Sequence, residues 1–273
     1  MFRRRTTRDF PGLLALVFIF AVCVALAAYS ALYPKADGIL TYEEGQVTID
    51  ASHTDQGYVM VQHIKTKKTL KLRIAKDSGD TVTYDLNDDG EYESFPITLG
   101  DGQYSLQVFK QVSGKRYTRE ASYDFTVKLE DPNLPFLYPN QYVWYTPEST
   151  AVAKAAQLCQ GLTSDRDKLN AVRKFVVANI TYDYKLAKTV KNGYVPVVDD
   201  VLAKGKGICF DYSALTACML RSQGVPTQLV IGYADESYHA WNNVLIDSQW
   251  LRVDTTVEAN DMKVSNYTEE RIN

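Results

Sequence analysis

The segment Gly207-Ile208-Cys209-Phe210-Asp211-Tyr212 is followed by His239-Ala240-Trp241-Asn242 and then by Val253-Asp254-Thr255. A thiol, an imidazole and a carboxylate therefore occur in the chain order Cys, His, Asp. A cysteine nucleophile needs a base beside it to become a thiolate, and the base needs a third group to fix its tautomer and orientation. Such a trio can open an amide or an ester. Taken singly, a Cys at a helix start is usually a small buried hydrophobe and an Asp at a strand end a turn residue. Their joint order and surroundings favour chemistry.

The neighbouring sequence predicts how the three are held. Gly205 and Gly207 loosen the backbone before Cys209, and the run from Phe210 to Gln223 reads as a helix with apolar positions Ala214, Leu215, Ala217, Cys218 and Leu220, stopped by Gly224 and Pro226. Cys209 then stands at a helix N-terminus, a setting whose unpaired N–H groups and dipole favour a thiolate. Thr227 to Tyr233, His239 to Ile246 and Gln249 to Asp254 read as three consecutive strands, the last two joined by a tight turn at Asp247-Ser248. The hairpin brings His239 and Asp254 together. Two rivals for the third position are weaker: Asp247 belongs to the turn, and strand alternation points Asn242 away from the face of His239 and Trp241. Asp211, in the first helical turn, reads as an acceptor for backbone N–H groups.

These residues resemble the transglutaminase-like superfamily, whose pattern is a Gly-x-Cys-x-Asp/Glu-Tyr/Phe segment, then His-Ala-Trp, then Val-Asp-x-Thr. The resemblance covers roughly residues 147–258 and includes Tyr182-Asp183, which follows Asn179-Ile180-Thr181 at the end of an amphipathic helix. It implies an α+β, papain-like catalytic domain with Cys209 as nucleophile, His239 as general base and then acid, and Asp254 as the orienting carboxylate. Tyr182, Gly207 and Trp241 are the candidates for substrate binding or for stabilising an oxyanion, beside the backbone N–H of Cys209. The superfamily includes protein cross-linkers, peptidases and amidases, so the resemblance leaves the substrate and the acyl acceptor open.

The remaining cysteines read as packing. Cys218 lies nine residues beyond Cys209 on the same helix and so on its opposite face, Cys159 falls in the helical stretch Thr150 to Gln160, and Cys23 sits in an N-terminal apolar run. There is no Cys-x-x-Cys pair and no His-Glu-x-x-His, and only three histidines occur, so neither a zinc site nor a cofactor is expected. His53 and His63 read as surface or strand residues.

The N-terminus suggests a compartment. Arg3, Arg4, Arg5 and Arg8 precede an uncharged stretch from Phe10 to Pro34 with its apolar centre at Leu13 to Ala28. This pattern predicts a signal peptide or signal anchor over 1–37, the length favouring the anchor, with the rest of the chain facing outward. The chain carries −3 overall; its first ten residues carry four arginines and one aspartate, which leaves −6 beyond them. No basic patch invites nucleic acid. Envelope peptides are plausible partners by location alone.

Residues 38–129 have another composition. Seven stretches alternate Val, Tyr, Thr, Ile and Leu with polar residues: 46–49, 58–64, 69–76, 81–86, 92–97, 104–112 and 116–129. They predict an immunoglobulin-like β-sandwich, closed off by Asp131-Pro132 and Leu134-Pro135, with the catalytic domain occupying 130–273. Asp85-x-Asn87-x-Asp89-Gly90 looks like the start of a calcium loop, but position twelve is Pro96 and the flanks are strands, so a hairpin turn is the better reading. Two functions from different classes follow. One is an exported cysteine enzyme acting on peptide or protein amide bonds; the other is an inert surface binding or scaffolding protein whose sandwich carries the function. A third, arylamine N-acetyl transfer, needs acetyl-coenzyme A, which an exported domain would not meet.

Overall fold

The structure, a computed structural model, describes residues 33–273. The expected signal or anchor, centred on Leu13 to Ala28, lies outside the described residues. Among those described, no helix is long and apolar enough to cross a membrane.

The first half of the described chain is built of β-strands. They are β1 (Thr41–Glu44), β2 (Val47–Asp50), β3 (Tyr58–His63), β4 (Leu70–Lys76), β5 (Thr81–Leu86), β6 (Glu93–Pro96), β7 (Gly102–Ser113) and β8 (Arg116–Val127). They form two antiparallel sheets, in the orders β1-β2-β3-β6 and β5-β4-β7-β8. Alternation drives the packing: β5 buries Val82, Tyr84 and Leu86 and exposes the residues between them. Ile49, Val59 and Val61 from one sheet share a single cluster with Leu72, Ile74, Leu106 and Val108 from the other. Each such side chain contributes about 1.5–3 kcal/mol by leaving water.

Two expectations for this half are corrected. An eighth strand, β1, precedes the seven; it pairs only with β2 and lies mostly exposed, so its Thr-Tyr-Glu-Glu sequence has no alternation to betray it. The Asn87 to Gly90 segment is not a hairpin turn. Leu86 pairs with Leu70 and Glu93 with Val61, so this loop carries the chain from one sheet to the other.

A 3-10 turn at Leu134–Phe136 follows, and Tyr138 packs into a second apolar cluster with Tyr58 and Met60. The second half then supplies six helices: α1 (Thr150–Leu158), α2 (Asp165–Asn179), α3 (Tyr184–Thr189), α4 (Val198–Lys204), α5 (Cys209–Arg221) and α6 (Thr255–Ala259). Its strands are β9 (Thr181–Tyr182), β10 (Lys206–Gly207), β11 (Thr227–Ala234), β12 (Ser237–Ile246), β13 (Gln249–Val253) and β14 (Tyr267–Ile272). The last four make an antiparallel sheet in the order β13-β12-β11-β14, and α5 packs against β12 and β11. Residues 34–273 form one compact unit.

Local sequence explains these elements. Ser164 caps α2 by accepting the Asp167 N–H, and Gly205 ends α4 in the left-handed conformation at φ +61°. Asp247 and Ser248 both have positive φ, the geometry that lets a two-residue turn join β12 to β13. In α5 every residue from Asp211 to Arg221 is buried, so the helix is enclosed on all sides by α1, α2, α4, α6 and the sheet. That enclosure fixes the direction in which its first residue, Cys209, faces.

Candidate active site

Cys209 is the first residue of α5 and remains partly accessible, whereas Cys159 and Cys218 are buried. Its position is set by Asp211, two residues later. The Asp211 carboxylate accepts the Ile208 N–H at 2.8 Å and the Tyr194 hydroxyl at 2.6 Å, closing the first turn from both sides. Gly207 makes this possible: a Cβ there would meet the Asp211 Cβ at 2.4 Å. The glycine in front of the cysteine is thus a packing requirement. The N–H of Cys209, at the first helical position, has no acceptor within the helix.

His239 comes from β12. Its Nε2 donates to Asp254 Oδ2 at 2.8 Å, and the Cys209 sulfur lies near enough to the same imidazole to favour its charged form. Because Nε2 faces a carboxylate, the ring nitrogen that meets the thiol is Nδ1. Burial opposes a charge on His239, but the hydrogen bond it gives to the Asp254 carboxylate, together with the neighbouring Cys209 sulfur, outweighs this and raises the imidazole to about 9. The proton is held as pH rises to that region and lost above it. In a histidine-labelled NMR titration, one resonance should therefore change near pH 9, and Asp254→Ala should move it downward, because burial then meets less opposition. A resonance at the ordinary value near 6.5, unmoved by that substitution, would contradict the assignment.

Asp254 is fixed in three ways. Its Oδ2 also accepts the Tyr267 hydroxyl at 3.0 Å, while its Oδ1 caps α6 through the Val257 N–H at 3.0 Å. Tyr267 opens β14, a strand absent from the sequence-based expectation. Its ring stands edge-on to Trp241 at 5.0 Å, under the Arg252 guanidinium at 3.9 Å, and Trp241 lies parallel to His239 at 6.2 Å. The signal that could have found Tyr267 is slight, because Thr-Glu-Glu-Arg after it reads as a polar tail.

Cys209 and His239 share the wall of a cleft of about 430 Å³ with Phe210, Tyr142, Tyr194 and Tyr238, and Asp254 joins the imidazole without lining the cleft. The other candidates fare differently. Trp241 is 1% exposed and absent from the cleft wall, so it supports the imidazole from behind; its buried indole N–H meets no acceptor. Gly207 is buried under Asp211 and does not line the cleft either. Tyr182 interacts electrostatically with Cys209, yet its ring packs on Tyr184 outside the wall. Asn242 donates to the carbonyls of Ser213 and Gln228 at 3.1 Å each, tying β12 to α5 and β11, and Asp247 pairs with Arg166. Neither approaches as a rival to Asp254. Among the described residues, no group of His, Cys, Asp and Glu comes together to hold a metal.

Residues 152–255 match the family profile described as the Transglutaminase-like superfamily, so a transglutaminase-like domain occupies this part of the chain. No curated protein matches the chain. Among solved structures, similarity extends to a TGase at 24% identity and a TM-score of 0.33, covering 39% of this chain and 29% of that one. A candidate cysteine protease from Cytophaga hutchinsonii is similar at 14% identity and a TM-score of 0.40, over 86% of this chain and 90% of that one. Red sea bream transglutaminase is similar at 11% identity and a TM-score of 0.26, over 73% and 48%. The chain thus spans less than a third of the TGase, and none of these likenesses bears on activity.

Proposed function

We propose that the chain is an exported, cysteine-dependent acyl-transfer enzyme that acts on peptide or protein amide bonds through Cys209, His239 and Asp254. The observation that carries the reading is the imidazole joined to Asp254 at 2.8 Å by Nε2 and sharing the wall of an open cleft with Cys209. The transglutaminase-like match over 152–255 supports it. With its proton held by His239 Nδ1, the Cys209 sulfur attacks the carbonyl carbon, and the C=O pair moves onto oxygen, where the free N–H at the start of α5 can receive it. As the tetrahedral species collapses, the C–N bond breaks and His239 Nδ1 gives its proton to the departing amine. The thioester is then opened by water or by a second amine, which returns a proton to His239.

Arg3, Arg4, Arg5 and Arg8 with the apolar run behind them support an extracytoplasmic location, anchored or secreted. The pairing orders β1-β2-β3-β6 and β5-β4-β7-β8 support an immunoglobulin-like sandwich ahead of the catalytic region. Incubation with p-nitrophenyl acetate followed by peptide mapping tests the enzyme reading. The expected result is one acetyl group on Cys209, lost in His239→Ala. An unmodified Cys209 in folded protein would favour the inert binding module.

A further inference from the structure

A second cavity, of about 450 Å³, lies beside the catalytic cleft and shares Gln141 and Val195 with it. Its wall carries two carboxylates, Glu93 and Asp199, and no lysine or arginine. Asp199 is occupied: its two oxygens accept the Thr150 and Ala151 N–H groups at the start of α1. Glu93 is different. It is 6% exposed, its Oε2 accepts the Asn87 N–H at 3.0 Å, and no cation is paired with it among the described residues. Burial, chiefly, raises its carboxyl to about 7, with Asp89 and Asp85 adding repulsion. A buried carboxylate without a counter-charge is costly, and a cation entering from the cavity would relieve it. The same wall holds the Trp144 indole, 49% exposed, which can present a π-face to such a cation.

We propose that the cavity bounded by Asn87, Glu93, Gln141, Trp144, Val197 and Asp199 binds the ammonium group of a substrate's basic side chain while the neighbouring cleft holds the scissile carbonyl. The substrate class is then a peptide with a lysine-like amine close to the bond attacked. This assignment rests on the enzyme reading for its occupant, but the binding itself does not need a working nucleophile. The test is therefore made on Cys209→Ala protein, by ligand-detected NMR, with N-acetyl-lysine methylamide and its neutral counterpart N-acetyl-norleucine methylamide. The lysine compound should bind saturably and the norleucine compound should not. Glu93→Gln should weaken binding about tenfold, as loss of a charge-assisted contact does. Trp144→Ala, at a surface position that leaves the core intact, should weaken it about threefold. Equal binding of the two compounds, or full affinity in either folded variant, would overturn the proposal while leaving the catalytic reading in place.

Discussion

Asp254→Asn is expected to lower active-ester turnover by roughly 10³- to 10⁴-fold, with little change in melting temperature. The carboxylate accepts three hydrogen bonds, and asparagine spares the one that caps α6. An Asn Oδ1 can still accept the Val257 N–H that starts α6, and the amide fills the same volume beside Tyr267. What it cannot do is accept from Nε2 through both alternatives of flip, since one orientation presents an NH₂ group to His239. With the cap satisfied by Oδ1, the NH₂ faces the imidazole and drives its proton to Nδ1, where it blocks the thiol. Tyr267→Phe keeps the carboxylate and removes only one donor to it, so its loss should be about tenfold. Kinetics with thermal melts on the same samples decide the matter. A folded Asp254→Asn protein with near-normal turnover would remove Asp254 from the trio.

The second large effect concerns stability. Arg221→Met should destabilise the fold by about 3–5 kcal/mol, read as a melting temperature lower by about 10 °C. Arg221 closes α5 and is fully buried, and its partners are backbone oxygens: Nε donates to that of Thr227 at 2.7 Å, and Nη1 and Nη2 to those of Tyr138 and Asn273 at 2.8 Å each. Burial pulls its guanidinium down to about 10, but at neutral pH the charge stays and the three oxygens absorb it. One side chain therefore fastens the segment that follows the first two sheets, the first residue of β11 and Asn273 after β14. Methionine fills the space and takes the guanidinium donor from the buried Thr227 and Tyr138 carbonyls, each costing ~1–3 kcal/mol before relaxation, while the Asn273 oxygen keeps the Leu229 N–H at 2.8 Å. Arg221→Lys should fall between, because a single ammonium cannot reach three diverging oxygens. A shift below about 1 kcal/mol for Arg221→Met would mean that water replaces the guanidinium without loss.

The sequence reveals the parts of this molecule whose residues obey one period or one spacing. Helix α5 is legible because Cys209 to Arg221 follows two glycines and ends before Gly224 and Pro226, and the β12–β13 hairpin because its strands are long and its turn is Asp-Ser. The juxtaposition of His239 with Asp254 follows from that hairpin. Short elements are not legible. Helices α3, α4 and α6 have six, seven and five residues, too few to establish a 3.6-residue period, and α6 exists because Asp254 caps it. Strand β14 is an edge with Thr-Glu-Glu-Arg facing largely outward, so it carries no apolar signature; with it the Tyr267 contact is lost to view. Trp241 illustrates the opposite error. Its place beside His239 in sequence suggests the substrate, whereas strand geometry turns its ring onto the imidazole and the surrounding core.

The most direct measurement is the rate of iodoacetamide alkylation at pH 6, mapped to individual cysteines of the folded protein. An ordinary thiol, with a pKa near ~8.5, is almost wholly protonated there and inert. The imidazole of His239, held up to about 9, is protonated at that pH and shares the cleft wall with Cys209. Cys159 and Cys218 are buried, and burial raises both thiols. The account predicts rapid labelling confined to Cys209, slowed in His239→Ala and slowed less in Asp254→Ala, with Cys159 and Cys218 reacting only after unfolding. Labelling spread evenly over the three, or a Cys209 rate unchanged in His239→Ala, would contradict it.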